Sequence, residues 1–305
     1  MLGSVIVMRI FILLAEWGTL FLMVKLLKDF NLAAKNVLYY ALNPLIILEL
    51  TGNLHFEAIV IFFLLLTGYF LSRKEVTSSA MSIGMAICTK LVPLIFLPTF
   101  LARLNAKNLI LFFMTVAATC LLLFFPFFDE QVFHSLQSSV GLYFNKFEFN
   151  ASLYYLVREY GYTMYGYNII QTVGWKLGLT TFLIIMTFVW IRYRQSKHEQ
   201  NSNNHPQVFQ DWMWILLIYF LFTTTLHPWY ITTLLALSVF TPYRFPVVWT
   251  GLIFLTYAGY TSNAFQEVLW LTALEYILVI AYLIYEVWMR RSSLVFLLKE
   301  NGDNE

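Results

Sequence analysis

Long apolar stretches separated by short polar turns run through most of the chain. A helix that crosses a bilayer needs about 20 mostly apolar residues. By this measure we predict about eleven membrane segments, several of them half-length or kinked at proline. The pattern therefore predicts an all-α fold, a polytopic transmembrane helical bundle over residues 1–290. The predicted segments are Val5–Val24, Asn36–Leu50, His55–Leu71, Ser78–Thr89, Val92–Leu101, Leu109–Phe125, Ile169–Trp190, Trp212–Leu226, Trp229–Phe240, Phe245–Tyr260 and Val268–Met289.

The placement of lysine and arginine predicts how the bundle is oriented. Cytoplasmic loops collect basic residues, and every second loop of this chain is basic, including residues 193–210 and the tail 291–305. We therefore place these loops in the cytoplasm. The long loop 127–168 then faces the outside, and its dense aromatic residues predict short helices that lie along the outer membrane surface.

The composition agrees with a membrane protein and excludes several other classes. Hydrophobic residues make up 60% of the chain and charged residues only 12%, against about 25% charged residues in a soluble domain. The mean hydropathy is +0.69. These values exclude a soluble globular domain, a disordered chain and a nucleic-acid-binding module, so we expect lipid and no nucleic acid among the partners.

Motifs of soluble nucleotide and hydrolytic chemistry are missing from the sequence, which has no GxGxxG, P-loop, HExxH or GxSxG pattern. The two cysteines, Cys88 and Cys120, lie in apolar stretches without CxxC spacing, and they predict neither a metal site nor a disulfide framework. Paired carboxylates are too few to predict a divalent metal. We therefore expect no cofactor, and a divalent metal stays open as an alternative that the sequence does not support.

Polar side chains next to the apolar stretches gather on the predicted outer side. Ionisable groups at membrane depth are costly and are usually functional. We expect them to converge on one water-filled pocket at the outer interface. They are Glu49, Asn53, His55, Glu57, Lys90, Asp129, Lys146, Glu148, Asn150, His227, Trp229 and Tyr230.

Each of these residues also has a purely structural interpretation. A charged or aromatic side chain at the membrane boundary can contact headgroups and water without a chemical role. The alternatives are a helix end in headgroup water for His55 and Glu57, contact with lipid phosphates for Lys90, an ordinary loop start for Asp129, a solvated pair for Lys146 and Glu148, and an aromatic interface turn for His227, Trp229 and Tyr230.

Several of these residues fall in blocks that resemble a known family. The run NPLIILEL at 43–50 and NLHFE at 53–57 resemble the "NPL…E…NGHxD" stretch of polyprenol-phosphate-dependent mannosyltransferases, which are GT-C-type glycosyltransferases. Residues 84–98 resemble their "GLAxxxKxxPLxxLP" block, and residues 146–152 and 227–230 resemble the "KFEFNxS" and "HPWY" features of bacterial members. The resemblance covers most of residues 36–240 and implies a GT-C-like fold.

The resemblance implies an integral-membrane hexosyltransferase of a bacterial inner membrane. It would move a hexose, mannose in that family, from a polyprenyl-phosphate donor to a glycan or lipid acceptor at the extracytoplasmic face. Negative charge grows on the departing phosphate, and a nearby cation stabilises it; we assign this role to Lys90. A carboxylate must take the proton of the acceptor hydroxyl, and the candidates in order are Glu57, Glu49 and Asp129.

The other polar residues are predicted to bind substrate. Hydroxyl-rich sugars are held by hydrogen bonds and by contact with ring faces, which amide, imidazole, phenol and indole side chains supply. For His55 we weigh two roles, orientation of the sugar and a share in the proton transfer. The predicted substrate-binding residues are Asn53, His55, Lys90, Lys146, Glu148, Asn150, His227, Trp229 and Tyr230.

The chain departs from the family pattern in two places. Position 54 is leucine where glycine is common, and the first outer loop, which usually carries a catalytic aspartate, has no counterpart after Met1. The segment count also places the N-terminus outside with no outer loop before it. We therefore expect a shortened or truncated member of the family, with an additional span and an acidic loop upstream.

A second class of function stays open, a non-catalytic membrane protein that is either a lipid-linked-sugar-binding subunit or a transporter. A transporter is expected to contain paired internal repeats with matching broken helices. Breaks occur at Pro44 and at Pro93 and Pro98, without a convincing second copy. The polar groups also gather at one face, whereas transporters place them near the middle of the bilayer.

Overall fold

The computed structural model describes residues 2–127, 129–198, 206–260 and 266–302, and these residues are organised almost entirely as helices. Strand pairing within them is limited to isolated bridges, one of which joins Phe149 and Thr225. The α-helices are α1 (Leu2–Asp29), α2 (Leu38–Ala41), α3 (Glu57–Ser72), α4 (Val76–Thr89), α5 (Ala106–Phe124), α6 (Glu130–Asn145), α7 (Leu153–Tyr165), α8 (Ile170–His198), α9 (Gln207–Phe222), α10 (Ile231–Ser238), α11 (Phe245–Leu252) and α12 (Leu269–Gly302).

Tighter and wider helical turns connect these elements. A π-helical segment covers Ile46–Gly52, and π-turns often occur at functional sites. The 3₁₀ segments are Ala34–Val37, Val92–Ala102, Phe125–Phe127, Pro228–Tyr230 and Ile253–Gly259. Proline explains the longest of them, because Pro93 is its second residue and Pro98 lies inside it, so the regular α-helical hydrogen bonds cannot form there.

Among the residues that the structure describes, four helices are long and apolar enough to cross a membrane, namely α1, α5, α8 and α12. A fifth span results if Ile46–Gly52 and α3 are counted together, although they meet at a bend of 106°. The all-helical membrane architecture is confirmed for the described residues. The count of about eleven segments is not confirmed, because α4, Val92–Ala102, α9 and Phe245–Gly259 are apolar but shorter than a full crossing.

The boundaries of several predicted segments differ from the structure. The predicted segment Asn36–Leu50 is divided at Asn43, whose side-chain oxygen accepts a 3.0 Å hydrogen bond from the Leu45 amide and starts a new turn. The predicted loop 193–210 is shorter, since α8 reaches His198 and α9 begins at Gln207. The predicted tail 291–305 continues α12 as far as Gly302.

The core lies between the short helices and the faces of the long helices that contact them. Aromatic rings fill much of it, as shown by Phe209, which stacks on Phe240 at 4.3 Å and meets Trp212 edge-on at 5.9 Å. Outward faces stay apolar, and Trp17 and Leu122 are each more than 70% exposed. An exposed apolar surface of this kind is expected where lipid is the solvent.

Candidate functional site

Lys90 and Glu57 form an ion pair where two helices meet. Glu57 is the first residue of α3, and Lys90 follows the last residue of α4 in extended backbone. The Lys90 ammonium also lies 3.9 Å from the centre of the Tyr230 ring, a cation–π distance. The Glu57 side chain is 5% exposed and that of Lys90 28%. The cation is therefore fixed from two sides and remains accessible on a third.

Burial governs the protonation of Lys90. Removal of an ammonium from water disfavours its charged form, and this lowers the pKa of Lys90, while the charge and hydrogen bond of Glu57 act in the opposite direction. The ion pair is thus the main interaction that keeps Lys90 positively charged at the end of α4.

Glu49 and His55 form a second pair beside the first. The Glu49 side chain is 3% exposed and accepts a 3.2 Å hydrogen bond from Nε2 of His55. It also accepts hydrogen bonds from the Asn53 amide at 3.2 Å and from the Tyr257 hydroxyl. The His55 backbone amide donates to the Glu49 carbonyl at 3.3 Å. The π-helical turn after Glu49 therefore folds His55 back onto the carboxylate.

An aromatic stack connects His55 with the turn that follows α9. The His55 ring lies 3.9 Å from Trp229, and the His227 ring lies 4.4 Å from Trp229, both nearly parallel. Phe149 approaches His227 at 4.7 Å. Both faces of the indole are therefore covered by imidazoles. The predicted stacking of a sugar on Trp229 stays a prediction, and it requires one imidazole to move aside.

His227 occupies a partly buried position in this stack. Its Nδ1 is buried and has no hydrogen-bond partner among the described residues. Burial lowers the pKa of His227 to about 4, with contributions from the positive charge of Lys90 and from His55. His227 is therefore neutral near pH 7, and it does not compete with Lys90 for an anion.

Eight of the residues described above form one connected group, which we call the turn cluster. Backbone turns at the ends of short helices supply all of them, and polar side chains of separate segments contact each other there. The turn cluster consists of Glu49, Asn53, His55, Glu57, Lys90, His227, Trp229 and Tyr230. The structure thus brings together eight of the twelve predicted residues. A water-filled pocket on the outer side and the roles of these residues in substrate binding or catalysis stay predictions.

A loop between α6 and α7 is attached to the turn cluster by backbone pairing. The Phe149 amide donates to the Thr224 carbonyl at 3.1 Å, and the Leu226 amide donates to the Phe149 carbonyl at 2.8 Å. The next residue, Asn150, is fully buried with a φ of 45°. This pairing brings the predicted block 146–152 next to the block 227–230.

Two carboxylates of the C-terminal part hold Asn150 in place. Its backbone amide donates to Glu267 at 2.8 Å, and its side-chain amide donates to Glu275 at 3.2 Å. The indole of Trp249 donates to Glu275 at 2.7 Å, and the Tyr155 hydroxyl donates to Glu267. We call these five residues the loop anchor.

Four predicted site residues lie outside the turn cluster. Asn150 belongs to the loop anchor, and the other three are Glu148, Lys146 and Asp129. Glu148 pairs with Arg158 at 2.6 Å and accepts a hydrogen bond from the Tyr154 hydroxyl at 2.7 Å, which fixes α7 to the loop. Lys146 is exposed at the end of α6. Asp129 is exposed before α6 and makes no side-chain hydrogen bond that caps this helix.

Some residues that build the site were not among the predicted ones. Tyr257 and Trp249 belong to an apolar stretch in which an aromatic residue has no distinctive signal, and Glu267 lies in a polar turn. Among these missed residues, Glu275 alone had a signal in the sequence, because an acid within a predicted membrane segment needs a partner on a neighbouring helix. Its partner Trp249 lies on α11.

Two cavities adjoin Lys90 and the segment that follows it. A cavity of about 20 Å³ lies among Glu57, Lys90, Tyr230 and Thr233, which is room for about one water molecule. A larger apolar cavity of about 280 Å³ lies between Val92–Ala102, α8 and α9. Its lining includes Leu94, Pro98, Gly174, Gly178, Phe182 and Phe222. Within the described residues there is no group of three or more His, Cys, Asp or Glu side chains that could hold a metal ion.

Comparison with known proteins identifies the family. Residues 1–204, about two thirds of the chain, match the family model of glycosyltransferase family 87. No curated protein matches the chain, and no solved structure does. The chain belongs to glycosyltransferase family 87 and is a GT-C-like membrane glycosyltransferase. The predicted enzyme class is thereby confirmed, at the level of a membrane glycosyltransferase that uses a sugar donor and an acceptor.

Proposed function

We propose that this chain transfers a hexose, mannose, from a polyprenyl-phosphate donor to the hydroxyl of a glycan or lipid acceptor. The transfer takes place at the extracytoplasmic face of a bacterial inner membrane. The observation that carries the proposal is the Lys90 ammonium, which is held by Glu57 and Tyr230 at a helix end and remains partly exposed. A phosphate that approaches this point meets a fixed cation.

The chemistry requires a cation near the departing phosphate. As the bond between sugar and phosphate breaks, negative charge grows on the phosphate oxygen, and a preorganised ammonium in a poorly hydrated site stabilises this charge. Glu57 holds Lys90 so that little reorganisation is needed when the donor binds. Tyr230 supports the same side chain from the other direction.

We propose that the part of the isoprenoid chain next to the phosphate lies in the larger cavity. The cavity begins four residues after Lys90, at Leu94, and continues between α8 and α9. Gly174 and Gly178 lie one helical turn apart on α8 and leave space for the lining of the cavity. We propose that an isoprenoid chain enters here with its phosphate toward Lys90.

The membrane topology is part of the proposal. The four or five full-length candidates, together with the four short apolar helices, are consistent with a bundle in which several segments enter the membrane without a full crossing. The count of about eleven such segments, an outer position of the turn cluster and a cytoplasmic position of the basic loops are proposed from the distribution of basic residues.

Donor binding and transfer can be measured with the full chain in lipid nanodiscs. The probe is radiolabelled polyprenyl-phosphate mannose, with an alkyl mannoside as acceptor. Lys90→Ala is expected to weaken donor binding at least tenfold and to abolish transfer, whereas Lys107→Ala, an exposed lysine at the start of α5, is the matched control. Donor binding by Lys90→Ala equal to that of the unaltered chain would refute the role of Lys90.

Accessibility distinguishes the transferase from a transporter. Single cysteines placed at Asn53 and Trp229, after replacement of Cys88 and Cys120, are expected to react with a membrane-impermeant thiol reagent from the outside only. Reaction from both sides of the membrane, in alternation with substrate, would favour transport.

A further inference from the structure

The two cysteines of the chain lie on different helices and meet in the structure. Cys88 belongs to the last turn of α4, and Cys120 lies close to the end of α5. Both thiols are free and half-buried, and they are hydrogen-bonded to each other. The Cys120 sulfur also lies 3.9 Å from the carbonyl oxygen of Gly84, one helical turn before Cys88. Spacing along the chain could not show this pair, because it forms only through the packing of α4 against α5.

A glycine at the helix crossing brings α4 and α5 close enough for this contact. Gly84 faces Thr119, the residue before Cys120, and a Cβ atom at Gly84 would lie 2.9 Å from the Cβ atom of Thr119. Helices that cross at small residues approach each other closely. Residues four apart lie on one helix face, so Cys88 is on the same face of α4 as Gly84. A disulfide needs closely spaced backbones of this kind, because its Cα atoms are about 4.4–6.8 Å apart.

The cysteine pair lies next to the helix end that carries Lys90. Cys88 comes two residues before Lys90, which directly follows α4. A cavity of about 350 Å³ borders Cys88, and its lining includes Thr89, Leu123 and Phe127. These residues belong to the ends of α4 and α5 and to the short segment after α5. The cavity therefore offers a reagent a path to the Cys88 sulfur from the end of the helix pair.

The proposed orientation places this helix end in an oxidising compartment. Lys90 belongs to the turn cluster, whose outer position is proposed from the distribution of basic residues. The bacterial periplasm is an oxidising environment in which disulfides form and persist, whereas the cytoplasm keeps thiols reduced. Two adjacent thiols on the outer side therefore encounter thiol–disulfide oxidants.

We infer that Cys88 and Cys120 form an intramolecular disulfide with the thiol–disulfide oxidants of the extracytoplasmic side, and that this bond joins α4 to α5 beside Lys90. The inference uses the proposed orientation of the chain and does not depend on the proposed sugar transfer. The disulfide holds the end of α4, and with it the backbone of Lys90, against α5. Thiols that serve only as small apolar side chains between the helices would instead stay reduced.

The bond forms by thiol–disulfide exchange, which balances in atoms and electrons. The thiolate of one cysteine attacks a sulfur of the oxidant's disulfide, a mixed disulfide forms, and the first thiolate of the oxidant leaves. The thiolate of the other cysteine then attacks the protein sulfur of the mixed disulfide, and the second thiolate of the oxidant leaves. In sum, the two cysteine thiols lose two electrons and two protons, and the disulfide of the oxidant is reduced to two thiols.

The experiment counts the free thiols of the full chain in nanodiscs, with oxidised glutathione as the probe. The chain has only two cysteines, so the number of maleimide groups added after denaturation reports both of them. After incubation with the probe, the unaltered chain is expected to lose both reactive thiols, to run as a monomer on a non-reducing gel and to regain both thiols with dithiothreitol. Peptide mapping is expected to find Cys88 linked to Cys120 rather than to glutathione.

A matched control keeps two cysteines at the same depth and moves one of them away from its partner. Leu121 follows Cys120 directly and is 68% exposed, so the second thiol of Cys120→Ser/Leu121→Cys faces outward. This variant is expected to form an intramolecular disulfide at least tenfold more slowly than the unaltered chain. Equal rates would overturn the inference, because they would show that the contact between the thiols does not direct the reaction.

The disulfide is also expected to stabilise the helix pair. A bond that closes a chain loop restricts the unfolded state, and the Tm of the oxidised chain should exceed that of the reduced chain by about 4–8 °C. The same treatment should leave the Tm of Cys88→Ser unchanged. An equal Tm of the oxidised and the reduced unaltered chain would refute the claim that the bond holds the end of α4.

The redox state in cells tests the compartment. Bacteria that make the full chain are quenched in acid, which stops exchange by protonating the thiolates, and the thiols are counted in the same way. The disulfide is expected in these cells and is expected to be lost in a strain without its periplasmic thiol oxidase. Reduced thiols in both strains, or a purified chain that oxidised glutathione leaves reduced, would overturn the inference and leave the proposed sugar transfer in place. Absence of sugar transfer by a chain that carries the disulfide would refute the proposed function alone.

Discussion

Lys90 and Glu57 are 33 residues apart in the chain, yet their side chains meet as an ion pair at the shared end of α3 and α4. The pair lies at the boundary between an apolar core and an open turn. In such a place the loss of hydration and the attraction between the charges are both large. We expect the ion pair to contribute both to stability and to the proposed donor binding, and substitutions can separate the two contributions.

Removal of one partner of the pair is expected to destabilise the protein more than removal of both. Lys90→Met leaves the buried Glu57 carboxylate without its cation, which costs about 3–5 kcal/mol when such a pair is broken. Lys90→Met/Glu57→Gln is expected to recover most of this stability and none of the donor binding. Thermal unfolding in detergent and binding of polyprenyl-phosphate mannose measure the two effects. Donor binding by the double variant would contradict the assignment of Lys90.

The low pKa of His227 predicts a pH dependence of stability. The pKa is about 4 in the folded protein and about 6.5 in an unfolded chain. Between these values the unfolded state binds more protons, so stability falls as the pH decreases from about 6.5 to about 4 and this contribution levels off below that. His227→Asn is expected to flatten this part of the curve of Tm against pH. His134→Asn should leave the slope unchanged, and an equal slope in both variants would contradict the prediction.

Close packing of α3 against α9 predicts a contrast between two glycine substitutions. A Cβ atom at Gly68 would overlap the ring of Phe209, which is confined by Phe240 and Trp212. Gly68→Ala is therefore expected to cost about 1–3 kcal/mol. A Cβ atom at Gly251 meets nothing within 4 Å, so Gly251→Ala is expected to be neutral or to stabilise α11 by up to about 1 kcal/mol. Measured in one detergent, the Tm of Gly68→Ala should be lower than that of the unaltered chain, and the Tm of Gly251→Ala should be equal to it or higher. A Tm of Gly68→Ala at or above that of Gly251→Ala would contradict the prediction.

The loop anchor predicts a contrast between two substitutions of one acid. Glu275→Leu leaves the Trp249 indole and the Asn150 amide as buried donors without acceptors, and each costs about 1–3 kcal/mol. Glu275→Gln keeps one acceptor and is expected to cost less than half as much. Limited proteolysis between α6 and α7 and the Tm report the effect. Equal destabilisation by Gln and Leu would show that hydrogen bonding to Glu275 is not what holds the loop.

The helical fold and the location of the turn cluster followed from particular sequence features. The apolar stretches predict helices because an unpaired backbone is costly in lipid. Lys90 lies between two apolar segments with prolines after it, which predicts an exposed cation at a break. The blocks 43–57, 84–98 and 227–230 also indicated which turns belong together, and the structure brings them into contact.

Other features depend on tertiary contacts that no local pattern reveals. The pairing of Glu57 with Lys90 and of Glu49 with His55 is set by a bend of 106° before α3, which has no signal in hydropathy. Leu54 adopts a φ of 62° at the position where glycine is common in the resembled family. Glycine reaches this backbone conformation without steric cost. The strained backbone at Leu54 was therefore indicated in the sequence only by a leucine at a position where glycine is common.

The loop anchor has a consequence for the exchange of segments between related proteins. The family match ends at residue 204, but Trp249, Glu267 and Glu275 lie beyond it and hold the loop that borders the turn cluster. A chimera that joins residues 1–204 to the C-terminal helices of a distant homologue would lose these acceptors unless that homologue has acids and an indole at the same places. Exchange of either part alone is therefore expected to break the hydrogen bonds of the loop anchor.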